Sequence, residues 1–148
     1  MKYETYELTG TGSAMEFTFT SKGPKGAVRK IVQFNETPYQ NLYVLAFGDS
    51  KPDGSFDDKV NTNNNDMRKV IATVVKAVRH FTLHYPNSMI YFTGSAASRT
   101  NLYRLAITKN LDELSYDFEI SGYTNGNLLP FQPGTDYEGF IIQRRLFL

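Results

Sequence analysis

A chain of 148 residues is long enough for one domain with a buried core, and its 14% aromatic content, all Phe and Tyr, supplies material for that core. The absence of cysteine excludes disulfides, thiolate catalysis and thiolate metal sites together. A formal net charge of +1 gives no global drive toward nucleic acid or a membrane, although five Asp against two Lys between Asp49 and Asp66 leave the remainder of the chain more basic than the total suggests.

The first ten residues, MKYETYELTG, are polar and alternating, unlike a signal peptide. No apolar run approaches the roughly 20 residues that span a bilayer. A cytoplasmic protein without membrane contact is the expectation. Tyr3 to Leu8 and Ala14 to Thr20 are expected as strands around a Gly10-Thr11-Gly12 tip; in the second, Met15, Phe17 and Phe19 alternate with Glu16, Thr18 and Thr20. Ser21 to Gly26 reads as a turn. Ala27 to Phe34 places Val28, Val32 and Phe34 on one face and Arg29 and Gln33 on the other, with Ile31 out of phase. Leu42 to Phe47 is apolar on both faces, as a strand covered on both sides is. Four such strands in succession predict an antiparallel meander.

The stretch Asn65 to Tyr85 is the clearest helix. Met67, Val70, Ile71, Val74, Val78 and Phe81 recur at steps of three and four, while Arg68, Lys69, Thr73, Lys76, Arg79 and His80 form the polar side. Asn63 to Asn65 offer N-caps, Asp66 suits the positive end of the helix dipole, and Pro86 ends the run. The connection from Gly48 to Asn64 is long and acidic, which marks it as functional or solvated. Its acids do not follow the twelve-residue calcium-loop spacing, so no metal and no cofactor is expected.

Beyond Pro86, Met89 to Thr93 reads as a strand, Arg99 to Lys109 as a second helix with Leu102, Leu105 and Ala106 inward, and Leu111 to Leu114 as one further turn. Tyr116, Phe118 and Ile120 alternate as a strand. Asn125-Gly126 is a strong hairpin-turn signal. Leu128 to Phe131 is its short partner, and Tyr137 to Arg145 a final extended stretch. The expectation is one α+β domain spanning residues 1–148, a four-stranded antiparallel meander packed on one long helix and followed by strand–helix–strands.

Three groups of residues carry chemistry. In the strand–turn–helix run from Tyr91 to Arg104, helix N-terminal N–H groups attract anions. Gly94, Ala96 and Ala97 leave room for a phosphate, Ser95 and Ser98 supply hydroxyls, Arg99 is a bidentate clamp, Tyr103 can stack and Arg104 adds charge. The bland alternative is that Ser95 or Ser98 caps the helix and Gly94 only allows the turn. No Walker loop is present, and Gly94-Ser95 lacks the D-x-D pair of a nucleotidyltransferase. Second, His80 and His84 stand four apart on one helix, the spacing of paired ligands or an acid–base pair, but with no Glu between them and no third ligand in view two surface histidines are the preferred reading. Third, Lys22, Lys25, Arg29 and Lys30 are interleaved with Tyr3, Tyr6, Phe17, Tyr39 and Tyr43, as on sheets that bind single strands, although strands favour Tyr and Phe for packing alone.

The segments Phe47-Gly48-Asp49, Asn64-Asn65-Asp66 through Val74, and Gly94-Ser95 through Tyr103 resemble the F-G-D, N-x-D…KV-x-x-T-V and G-S-x-x-x-R-x-x-L-Y motifs of an uncharacterised family of short bacterial proteins. The resemblance implies Asp49, Asp66, Ser95, Arg99 and Tyr103 as a shared site, with no reaction attached. The first half is also similar in element order to the four-strand-then-helix modules of whirly-type single-strand binders, from which the second half departs. The leading expectation is a non-enzymatic module binding a phosphate-bearing or other anionic ligand, RNA or single-stranded DNA included, at residues 94–104. The alternatives are a toxin-like phosphodiester-cleaving enzyme using His80 or His84 with Arg99, and a protein-interaction or homo-oligomeric module without a small ligand.

Overall fold

The computed structural model describes residues 4–51, 53, 55–57, 62–94 and 97–146. They fall into two compact units, one formed by Met1–Asn35 and Leu45–His84, the other by Glu36–Val44 and Tyr85–Leu148. No helix among the described residues is long and apolar enough to cross a membrane.

The first unit contains the expected meander. Strands β1 (Thr9–Gly10), β2 (Glu16–Gly23), β3 (Gly26–Glu36) and β4 (Leu42–Ser50, of which 45–50 lie in this unit) follow one another in the sheet, and β5 (Phe56–Asp57) pairs back on the end of β4. β2 and β3 pair without interruption from Glu16↔Gln33 to Gly23↔Gly26. Their tight turn is possible because Gly26 takes φ +84, a conformation that costs glycine little. The first strand is not where Tyr3 to Leu8 predicts: residues 4–8 form no strand, and β1 lies just after them, running into the expected Gly10 tip. Only Thr9 and Gly10 pair with β2, because the preceding segment is drawn to helix α1 (Met67–His84), where the Tyr6 N–H donates to Thr73 Oγ1 at 2.9 Å.

Period-two alternation sets the core. Phe17, Phe19 and Ser21 are buried on β2, while Thr18, Thr20 and Lys22 turn the other way. Phe34 stacks on Phe81 of α1 (centroids 4.1 Å, 6°), Phe17 meets Phe34 edge-on at 6.1 Å, and Phe19 stacks on Phe47 at 6.1 Å. The buried stripe of α1 is Val70, Ala72, Thr73, Ala77, Val78, Phe81 and Thr82. It is rotated from the apolar stripe of the sequence: Met67 is 40% exposed, and Thr73, placed on the polar face, is fully buried. Burial costs Thr73 little because its hydroxyl donates to the Lys69 C=O at 2.7 Å and accepts from Tyr6.

In the second unit, Leu42–Val44 of β4 pair in parallel with β6 (Met89–Phe92), and the order continues through β9 (Gly139–Arg144), β7 (Phe118–Thr124) and β8 (Asn127–Pro130). The predicted β7–β8 hairpin is present, with Asn125 and Gly126 both in left-handed φ (50° and 78°) as a type I′ turn requires. Helix α2 (Ala97–Lys109) turns Thr100, Tyr103 and Ile107 inward, whereas Leu102 and Leu105 are each 43% exposed. The aromatic cluster decides that face: Ile107, Phe131, Tyr137 and Phe140 pack with Phe92, Tyr103, Leu111 and Ile120. Tyr116 ends up on helix α3 (Leu111–Asp117), 78% exposed, because the backbone stays helical to Asp117 before β7 begins.

Phe81→Ala is expected to cost about 3–5 kcal/mol by urea denaturation, since it removes a fully buried ring from the stack on Phe34. The exposed Leu105→Ala should stay within about 1 kcal/mol of the parent.

Candidate functional site

Behind the sheet edge of the first unit lies a buried polar lock. The Lys30 side chain, 1% exposed, is on the inward face with Val32 and Phe34. Its Nζ donates to Asp49 Oδ1 at 2.6 Å and to the Thr62 C=O at 2.7 Å. The Thr62 N–H returns a bond to the same carboxylate at 3.0 Å. Burial alone would push the Asp49 carboxyl up; the hydrogen bonds from Lys30 and Thr62, with the Lys30 charge, outweigh it and hold the group below its ordinary value. Two residues on, the fully buried Asn64 side chain donates to Ser21 Oγ and the Gly26 C=O and accepts from the Lys25 N–H, so it grips the β2–β3 turn.

Asp66 completes the lock. Its backbone C=O accepts the Val70 N–H, which makes it the N-cap residue of α1. Its Oδ2 accepts both the Tyr6 hydroxyl and the Ser21 hydroxyl at 2.5 Å. Tyr6 Oη also lies 3.2 Å from the Lys22 C=O, but a hydroxyl has a single proton, and the short bond to an ionised carboxylate wins it. The Lys22 N–H then donates to Tyr6 Oη at 3.1 Å. Burial first, and the Asp66 hydrogen bond second, raise the Tyr6 pKa, so the phenol stays a proton donor.

In front of this lock a cleft of about 530 Å³ opens between the N-terminal segment and β2, lined by Tyr6, Glu7, Thr9, Thr18, Phe19, Thr20, Lys22, Arg29 and Lys69. Three cations therefore face one carboxylate. Among the described residues neither Lys22 nor Arg29 has a carboxylate partner, and Lys69 reaches exposed Glu4 only at 3.9 Å. Of the interleaved basic and aromatic residues, the structure gathers Lys22, Arg29 and Tyr6 here. It gives Lys30 to the lock and Phe17 to the core, while Tyr39 and Tyr43 belong to the second unit. Tyr3 lies outside the described residues. Sequence pattern missed Lys69 because it counted only as the polar side of a helix, and Lys30 because a lysine among surface lysines carries no sign of burial.

The 94–104 run lies in the second unit. A Cβ on Gly94 would stand 2.4 Å from Arg99 Cβ, so glycine is what lets the strand end meet α2. Thr100 Oγ1 accepts the Gly94 N–H at 3.0 Å. Tyr103 packs edge-on against Phe92 at 5.7 Å, and burial raises its pKa while the Arg99 charge opposes that rise. Arg104 forks onto Asn101 Oδ1 through Nε (3.0 Å) and Nη2 (2.6 Å). Ser95 and the Ser98 side chain lie outside the described residues. His80 and His84 are exposed on α1 in the first unit, with the His80 ring beside Phe17 at 6.1 Å. In the acidic connection, Asp53 accepts from Ser55 and Asp49 from the lock, and no three acidic or histidine side chains gather as metal ligands among the described residues.

Residues 2–145 match a family described as one of unknown function, DUF6934. The chain belongs to that family. No match is found among curated proteins or among solved structures. In this DUF6934 chain two of the motif segments noted in the sequence meet at the lock: Asp49 ends F-G-D, and Asn64 and Asp66 are the ends of N-x-D.

Lys30→Met, which strands Asp49, is expected to cost about 3–5 kcal/mol, and the double change Lys30→Met/Asp49→Leu to recover most of it; equilibrium denaturation of the pair of variants decides. Because the Asp49 pKa is depressed from 3.8, its contribution is complete above that value and is lost as pH falls through the folded pKa. Stability measured downward from pH 6 should therefore fall more steeply below about pH 4 in the parent than in the double variant.

Proposed function

We propose that this chain is a binding module for an anionic, phosphate-bearing ligand, seated in the cleft of the first unit. The observation that carries the reading is the convergence of Lys22, Arg29 and Lys69 on one cleft with a single opposing carboxylate, Glu7. Like charges are not gathered at a concave site without cost, since each raises the energy of the others, and an anion relieves it. Arg29 supplies a planar fork matched to phosphate oxygens, and the two lysines supply point charges. Lys69 is already oriented, with its Nζ 4.4 Å from the Tyr6 ring centroid, and the Tyr6 hydroxyl is fixed by Asp66. The site is thus largely formed before a ligand arrives, which lowers the entropy cost of binding.

The 94–104 turn is the second position for an anion, supported by Arg99 in the first turn of α2. The two positions are separated by variants. Thermal-shift titrations with pyrophosphate at two salt concentrations should show stabilisation that weakens with salt in the parent and is lost in Arg29→Gln, whose side chain is exposed and whose folding is expected to be unchanged. Loss in Arg99→Ala with retention in Arg29→Gln would move the site to the turn. Retention in both would overturn the anion reading at either place.

A further inference from the structure

Resting on the anion-binding reading of the cleft, we infer that its ligand is a compact phosphate ester carrying free hydroxyls, of the sugar-phosphate kind, and not a stacked nucleic-acid strand. A volume of about 530 Å³ is that of a small-molecule site. The cleft is also bounded along the sheet edge. At one end β1 pairs Thr9 with Thr18; at the other the Tyr6 hydroxyl holds the Lys22 N–H. From Thr18 to Lys22 is four residues of strand, about 13 Å, so a polymer cannot be threaded along the edge.

The polar groups between those ends suit hydroxyls as well as phosphate. Backbone groups of alternate residues in an antiparallel strand point to the same side. Glu16 C=O accepts the Thr11 N–H, and Lys22 N–H donates to Tyr6, both at the outer edge of β2. The N–H and C=O of Thr20, in the same register, therefore point to that outer edge, at a residue that lines the cleft. They add one donor and one acceptor to the hydroxyls of Thr9, Thr18 and Thr20 that line it. Glu7 is the telling residue. A carboxylate repels a phosphate but accepts strongly from a sugar hydroxyl, so its place among three cations fits a ligand with both kinds of group. Base stacking finds less: Phe19 is stacked on the Tyr6 ring (5.7 Å, 16°) and the Lys69 ammonium stands over it, so the one aromatic hydroxyl-bearing ring of the cleft already spends its π surface.

The test is isothermal titration of the intact chain with inorganic phosphate, ribose 5-phosphate and a ten-residue oligothymidylate. Ribose 5-phosphate is expected to bind more tightly than inorganic phosphate. Arg29→Gln should weaken both by about tenfold or more, the scale of one charge-assisted contact. Thr20→Val, exposed and close in shape to the parent residue, should weaken ribose 5-phosphate by about tenfold and leave inorganic phosphate within about twofold. Glu7→Gln, which removes a hydroxyl acceptor and also a charge that repels phosphate, should lower the preference for ribose 5-phosphate over inorganic phosphate by about tenfold, with inorganic phosphate bound no more weakly than by the parent. If the oligothymidylate binds in an Arg29-dependent way and ribose 5-phosphate does not, the sugar-phosphate inference falls and the anion reading stands. If Glu7→Gln leaves that preference unchanged and Thr20→Val leaves ribose 5-phosphate binding unchanged, the inference falls in the same way. If no probe binds, or Arg29→Gln changes nothing, the anion reading falls and the inference with it.

Discussion

The first unit is arranged around one constraint, that the Lys30 ammonium is buried on the core face of β3 and must be given acceptors. An ammonium without them would cost several kcal/mol or lose its proton. Asp49 at the end of β4 provides one, and the Thr62 carbonyl another. Meeting that need fixes the lead-in to α1 against the sheet. With Thr62 tied, Asn64 comes to rest on the β2–β3 turn and Asp66 reaches Tyr6 and Ser21. The fit is close: a Cβ on Gly23 would lie 2.2 Å from the Asn64 carbonyl oxygen. The helix then starts where its N-cap is pinned, which selects Val70, Thr73, Ala77 and Phe81 as the buried stripe.

This explains what could and could not be read from the sequence. The order of strands and helices was legible because it rests on local pattern: alternation in Phe17 and Phe19, the three-and-four spacing through Val70 to Phe81, and Asn125-Gly126 in the hairpin. Tyr3 to Leu8 alternates just as well, yet only Thr9 and Gly10 pair, because a tertiary bond from Tyr6 to Thr73 competes with the ladder. The inward face of α2 was misjudged at Leu102 and Leu105 for a similar reason. Its apolar residues lie on more than one side, and the cluster around Phe131 and Phe140 selects Tyr103 and Ile107. The cleft was half legible. The basic and aromatic residues Lys22, Arg29 and Tyr6 were picked out by pattern, but the cleft joins three segments, the N-terminal one with Tyr6, Glu7 and Thr9, the β2–β3 hairpin with Thr18, Thr20, Lys22 and Arg29, and α1 with Lys69, and their meeting is a property of the fold.

The position of Tyr6 links stability to the site. One side chain supplies a wall of the cleft, a platform for Lys69, a partner for the β2 edge and a donor to Asp66. Such a residue is held by core interactions while lining the cleft, so that wall of the cleft is fixed by the fold and not by a loop dedicated to it. A change in the lock at Asp66 or Ser21 is then transmitted to the cleft through one hydroxyl.

The short motifs noted in the sequence lie where this architecture is most demanding. Phe47 of F-G-D stacks on Phe19 and Asp49 neutralises Lys30; Asn64 and Asp66 bind the helix start to the sheet; Gly94 lets β6 meet α2, and Tyr103 fills the cluster of the second unit. Each is a place where a substitution would leave a buried charge unpaired, a cavity or a clash, so the physics of folding alone accounts for the residue type. The cations of the cleft are different. Lys22 and Arg29 are exposed and support no core contact, and their cross-strand neighbours Ala27 and Thr20 ask nothing of them. Folding gives no reason for two cations there beside Lys69. The cleft is the place on the first unit where residue choice is left over once stability has been explained.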